Sequence, residues 1–253
     1  MQHLTIKGLV IRETDFGESD RYLTVLTEVG ARIEVLCRGV RRRNGRLASA
    51  VRLFCWSEMT LYESRGRFTL NDAALLDSFW GVTARVEHYA LVCYFAELAG
   101  VLTDEEEQTP AVTRLFLGGL YALTRQNRAF ELVKAAFELR LLSETGYAPA
   151  LDVCGACCKP IEGQAYFSVR EGAIIDGSCR KRLGDGDFMA LGGGTLAALR
   201  HIVSAELPRV YGFALGGSSR GQLAVLCERY ALYHTGRGYD SLDFYHSLLQ
   251  TTE

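Results

Sequence analysis

The sequence predicts an α+β chain: a small closed barrel of five β-strands, then a mainly α-helical part interrupted by a cysteine-bearing insertion. Three observations carry this. Apolar residues alternate with period two, between tight turns, over the first 75 or so positions. From Val82 the period lengthens to that of a helix. The helical pattern then stops between about 150 and 188, where Cys154, Cys157, Cys158 and Cys179 stand. The expected division is therefore 1–80 and 81–253, with the insertion inside the second part.

The strands come first. "TIKGLVIRET" alternates through Ile6, Gly8, Val10 and Arg12. Tyr22–Thr27 and Arg32–Arg38 are two β-rich runs joined by Glu28-Val29-Gly30, a short connection ending in glycine that signals a hairpin. "CWSEMTLYE" and "RFTLNDAAL" flank "SRG" and make a second hairpin. Five short strands with tight turns suit a small closed barrel of the OB type better than a sandwich.

The helices follow. Val86, Tyr89, Ala90 and Cys93 together with Leu91, Phe95, Leu98 and Leu102 surround most of a helix, which marks it as buried. Thr109-Pro110 starts the next one, with proline where no N–H is needed. "FELVKAAFELRLLSETGY" is a third, closed by Gly146. Beyond the insertion, Thr195 is expected to cap "LAALRHIVSAE", and Ser218 or Ser219 to cap "GQLAVLCERYALYHT" before Gly236. "RVYGFAL" reads as a possible strand between them.

Net charge is −2, which by itself points to no polyanionic partner. The charges are nevertheless uneven. Between Val35 and Ser57 stand Arg38, Arg41, Arg42, Arg43, Arg46 and Arg52, and no acid. The run "RGVRRRNGR" follows the third strand, with Asn44-Gly45 as a turn, so it projects from the barrel. Clustered arginines repel unless an anion joins them, and nucleic-acid phosphates are the obvious anion. A solvated loop is the competing reading. Arg65 and Arg67 on the next hairpin extend the candidate patch. Tyr22, Trp56, Tyr62 and Phe68 are either core residues or surfaces for stacked bases.

No run of 18 apolar residues and no basic, apolar leader occurs, so a cytoplasmic location is the default. Cysteines are then read as thiols, and their clustering as a metal signal. Cys37, Cys55, Cys93 and Cys227 lie scattered in apolar patterns and are expected in the core. Cys154 and Cys157 have the spacing that wraps one ion, and Cys179 is a third ligand candidate. A closed zinc site needs four ligands. Cys158, Asp176, Asp185 and water are the options for the fourth. The alternative is a metal-free knuckle around Phe167, Ile174 and Ile175.

Catalysis has no visible address. "GGGTLA" (Gly192–Ala197) matches a dinucleotide-loop pattern at a helix start, but "GDGDFMA" before it is a poor strand and no acid follows "RVYGFAL". No phosphate loop, zinc-protease helix or nucleophile elbow is present.

As a whole the chain resembles the bacterial recombination mediator family RecO. The residues that carry this are "GLVIRETDFGESDRYLTVLTEVGARIEVLCRGVRR" near the start and "FELRLLSETGYAPALDVCGAC" at the first cysteine pair. The resemblance implies an OB barrel, a helical domain and a zinc-ribbon-like insertion. It implies a non-enzymatic, nucleoid-associated activity in gap and double-strand-break repair: binding single- and double-stranded DNA, annealing strands, and helping recombinase load onto strands coated by single-strand-binding protein. The implied partners are RecR and the C-terminal tail of single-strand-binding protein. The resemblance carries no residues of the tail-binding pocket over to this chain; a groove of helical apolar residues edged by Arg114, Arg125, Arg128 or Lys134 is the place expected from the sequence itself. The family's second Cys-x-x-Cys pair corresponds here to Cys179 and Arg182, and Cys158 stands where glycine is usual. The alternatives are a zinc-ribbon nucleic-acid adaptor outside recombination and a dinucleotide-dependent enzyme using "GGGTLA".

Overall fold

The computed structural model describes residues 2–42, 47–104, 108–184 and 186–250. Two compact units emerge: Met1–Arg125 together with Ser241–Glu253, and Gln126–Asp240.

The first unit is built on five strands, β1 (Gln2–Phe16), β2 (Asp20–Thr27), β3 (Arg32–Cys37), β4 (Trp56–Ser64) and β5 (Arg67–Asp77). They close in the order β1-β2-β3-β5-β4, the ring of an OB-like barrel. β1 is long enough to serve two neighbours, pairing antiparallel with β4 through its first half and with β2 through its second. The register shifts between Val10 and Arg12, and such an irregularity bends a strand around the barrel. Alternation then sends Val10, Leu23, Val25, Val35, Met59 and Leu61 inward, all fully buried. Each such side chain contributes about 1.5–3 kcal/mol of burial.

Helices α1 (Val86–Leu102) and α2 (Pro110–Thr124) belong to the same unit. α1 buries Leu91, Val92, Phe95, Leu98 and Ala99, so its all-round apolar pattern is explained by contact on most sides. Thr109 is the N-cap of α2 with Pro110 in the first turn, but its hydroxyl makes no capping bond. The β2–β3 turn explains why its glycine matters. Gly30 has φ +86, and a Cβ there would lie 2.1 Å from the Thr109 carbonyl oxygen. Thr113 Oγ1 donates to the Thr27 carbonyl at 2.6 Å, tying the same turn to α2. A last helix, α7 (Asp240–Gln250), escaped sequence reading and belongs from Ser241 onward with this unit.

In the second unit α3 (Phe130–Glu144) packs against α5 (Gly193–Ser204) and α6 (Gly217–Thr235). α3 ends where Gly146 takes φ +93 and the Tyr147 N–H returns to the Leu142 carbonyl at 2.8 Å, a Schellman closure. Arg140 Nη1 donates to the carbonyls of Ile202, Val203 and Ala205 at 2.7–3.0 Å, satisfying the end of α5. Lys134 is buried between Glu138 at 2.8 Å and Glu228 of α6 at 2.7 Å. A lysine so enclosed cannot edge an open groove, so that expectation is corrected.

The insertion carries a three-stranded antiparallel sheet, β7 (Ala173–Asp176), β6 (Ala165–Ser168) and β8 (Phe188–Ala190), and a one-turn helix α4 (Gly177–Arg180). Its strands are three or four residues long, too short for alternation to stand out in a sequence. Three expectations fail here. Thr195 is buried inside α5, whose N-cap is Gly192 with no side-chain bond. α6 starts at Gly217, ahead of both serines, again with no side-chain cap. "RVYGFAL" is no strand: a 3₁₀ turn at Leu207–Arg209 runs into irregular chain. With an antiparallel sheet ahead of α5 and no strand after it, the dinucleotide-loop reading has no β-α-β unit to stand on.

Candidate nucleic-acid interface and cysteine knuckle

Two places gather chemistry, one in each unit. The first is the start of the β3–β4 loop. Arg38, Arg41 and Arg42 are exposed there, directly beyond the end of β3. Arg43 and Arg46 lie outside the described residues, and Arg52 is exposed further along the same loop.

Acids that are distant in sequence stand beside this loop. Arg21 and Cys37 are register partners, so the end of β3 meets the β1–β2 hairpin. Asp20 accepts the Gly39 N–H at 2.7 Å and Ser19 Oγ at 3.1 Å, which fixes the first turn of the loop. The Gly39 N–H is the main reason its carboxyl titrates below the usual aspartate range, helped by Ser19, Arg38 and Arg42. Arg41 pairs with Asp15 at 3.3 Å and donates to the Gly17 carbonyl at 3.2 Å. Arg21 pairs with both Asp15 and Glu13. The patch is therefore partly neutralised by its own scaffold, which no local charge count reveals.

Arg65 and Arg67 are exposed on the β4–β5 turn. β5 runs parallel to β3 with Val35 level with Phe68, so Arg67 is level with Glu34, four residues before Arg38. At about 3.3 Å per residue that offset is roughly 13 Å along the barrel. The two groups of arginines sit toward opposite ends of β3.

Tyr22, Trp56, Tyr62 and Phe68 are all half-buried, and Phe68 packs on the barrel core. The exposed aromatic beside the loop is Phe16, 52% accessible, with its ring edge-on to Tyr22 at 5.1 Å. It precedes Gly17, whose carbonyl holds Arg41. Sequence reading missed it, although a phenylalanine at a polar hairpin tip ("DFGES") is a signal that could have found it.

The second place is the knuckle. The sulfurs of Cys154, Cys157 and Cys179 lie within 4.8 Å of one another, an arrangement that can hold a metal ion. Cys154 and Cys179 are buried and join Ile175 in a small core, completed by Cys157, Ile161, Tyr166 and Phe188. Tyr166 and Ile175 face this side of the sheet. Phe167 and Ile174, one residue over on the same strands, are buried on the other, where Phe167 meets Tyr230 of α6 edge-on at 5.4 Å. The expected minicore of Phe167, Ile174 and Ile175 is thus split between two faces.

Burial pushes the Cys154 thiol up, but the N–H groups of Asp176, Ala156 and Cys157, with the Cys157 thiol, outweigh it and bring it to about 7. Cys158 stands apart from the three: its backbone has φ +57, the region glycine favours, and its side chain is exposed. Asp176 is engaged elsewhere, capping α4 through Ser178 and accepting the N–H groups of Glu162 and Gly163. Asp185 lies outside the described residues. The residue three places after Cys179, where a fourth ligand would repeat the first pair's spacing, is Arg182, whose Nη2 donates to Cys179 Sγ at 3.1 Å. A closed four-ligand zinc site does not fit this set.

Of the scattered cysteines, Cys37, Cys55 and Cys227 are buried and Cys93 is half-buried. Burial raises the thiols of Cys37 to about 12 and Cys93 to about 11, which leaves them inert. Among the described residues, no helix is long and apolar enough to cross a membrane.

A closed five-stranded barrel carrying an arginine loop, followed by a helical part with a cysteine knuckle, defines a two-part protein of the OB class. The chain belongs to the RecO family: residues 1–79 match the model described as "Recombination protein O N terminal" and residues 85–243 the one described as "Recombination protein O C terminal". It is similar to proteins named DNA repair protein RecO in several bacteria. The one from Acetivibrio thermocellus is 27% identical over 98% of both chains. That from Dehalococcoides mccartyi is 30% identical over 81% of this chain and 80% of its own. That from Symbiobacterium thermophilum is 27% identical over 96% of each.

Proposed function

We propose that the chain is a DNA-binding recombination mediator that binds and anneals single strands and helps load recombinase onto strands coated by single-strand-binding protein. The observation that carries this is the cluster of exposed Arg38, Arg41 and Arg42 beside exposed Phe16 at one end of a closed barrel. Family membership over nearly the whole chain supports it.

The physical logic is electrostatic. Annealing requires two phosphate backbones to approach without either being trapped. Arginines in a loop, partly neutralised by Asp15 and Asp20, lower the repulsion yet exchange readily. Phe16 offers a face on which any base can stack. The activity needs no bond-making chemistry, and RecR and the tail of single-strand-binding protein are its proposed partners in a nucleoid-associated cytoplasmic role.

The test is a salt titration of affinity for an unstructured single strand. Affinity should fall by orders of magnitude between low and physiological salt. Replacing Arg41, Arg42 and Arg43 together with Ala should lower the log–log slope by about 2, near 0.7 per lost phosphate contact. An unchanged slope in the triple variant removes these residues from the site. Phe16→Ala should weaken binding by about 1–3 kcal/mol with the slope retained.

A further inference from the structure

We propose that Arg182 occupies the corner where a metal ion's fourth ligand would stand, and that the knuckle is a metal-independent unit closed by a guanidinium–sulfur contact. This does not rest on the DNA-binding reading.

The position is built by the backbone. The Arg182 N–H donates to the Cys179 carbonyl at 2.9 Å, extending the turn of α4, and the side chain folds back so that Nη2 reaches Cys179 Sγ. Arg182 thus sits against one of the three sulfurs a metal would need. Guanidinium cannot shed its charge in a protein, so it cannot serve as a ligand and it repels a divalent cation at the same sulfurs. Arg180 adds a second fixed cation, with its guanidinium 4.4 Å from the centre of the Phe188 ring, which lines the same small core.

The work a metal does elsewhere is distributed here over other contacts. The Asp176 N–H donates to Cys154 Sγ at 3.3 Å. The Gly155 N–H bonds the Ile174 carbonyl and the Cys158 N–H the Cys154 carbonyl, both at 2.8 Å, so the cysteine turn is tied to β7 by backbone alone. Ile161, Tyr166, Ile175 and Phe188 supply an apolar filling. A zinc knuckle without such filling unfolds when its metal leaves, whereas this one has an independent reason to stay folded.

The experiment uses the full chain, expressed in zinc-supplemented medium and purified without chelator. Metal content is read by elemental analysis, and thermal unfolding is followed with and without a zinc chelator. The expected result is zinc well below one equivalent and a Tm that the chelator leaves in place. Arg182→Cys should then acquire one equivalent of zinc and a chelator-sensitive Tm. Arg182→Gln, which keeps a donor but no charge, should acquire no zinc and melt lower. One equivalent of zinc in the unaltered chain with a Tm lowered by chelator overturns the proposal. So does an Arg182→Cys protein that takes up no more zinc than its parent, or an Arg182→Gln protein that melts with it.

Discussion

Lys134 is one of four lysines in a chain that otherwise uses arginine, and it is held by Glu138 and Glu228 in the packing between α3 and α6. Burial disfavours its charge, but the two carboxylates outweigh burial and leave its pKa raised. Removing one member of such a group leaves the rest uncompensated, so Lys134→Met should cost about 3–5 kcal/mol in urea unfolding. Replacing Lys134, Glu138 and Glu228 together with apolar residues should cost far less. The i,i+4 spacing of Lys134 and Glu138 is visible in "FELVKAAFELR", but Glu228 comes from another helix 94 positions on, so the buried triad is not. Gly30 is the opposite case, where the residue type was legible and its second reason was not. Its left-handed backbone follows from the hairpin, but its contact with Thr109 exists only in the folded unit. Gly30→Ala should lose about 1–3 kcal/mol to backbone strain alone, and more to the collision, as an earlier thermal midpoint would register.

Whole elements were the most legible part of the chain. All five barrel strands and the first three helices fall where periodicity and turn residues place them, because each is long enough to repeat its pattern. The short strands of the knuckle and the caps of α5 and α6 were not legible, since glycines rather than hydroxyl side chains precede those helices. The β3–β4 loop was read as purely basic because its acids come from the β1–β2 hairpin. Asp20 links those two elements, and its depressed pKa fixes the sign of the pH effect. The stabilising bond to Gly39 is fully present above the unfolded aspartate value, roughly 3.9, and is lost as pH falls through the lower folded value. Hydrogen exchange at the Gly39 amide should be protected at neutral pH. Asp20→Asn should lose that protection in part at every pH.

At the scale of the molecule, a net charge of −2 means that no long-range field draws a polyanion in. On the proposed DNA-binding role, attraction would be local, with a strength set by how much of the arginine loop is already paired with acids. Asp15 holds both Arg21 and Arg41 on an exposed surface. Asp15→Asn should therefore raise single-strand affinity by roughly two- to fivefold at low salt, an effect that fades as salt is added. A decrease would mean that the pairing orients Arg41 rather than competing for it. The barrel that carries this loop is unevenly sewn. β1 pairs through eight residues with β4 and eight with β2, yet β3 and β5 meet through only Val35–Phe68 and Leu36–Thr69. Should the ring ever part, it will part along that seam, and the two strands released would bare hydrogen-bonding edges ready to zip onto another copy. Aggregation under stress would then begin at a line two residues long.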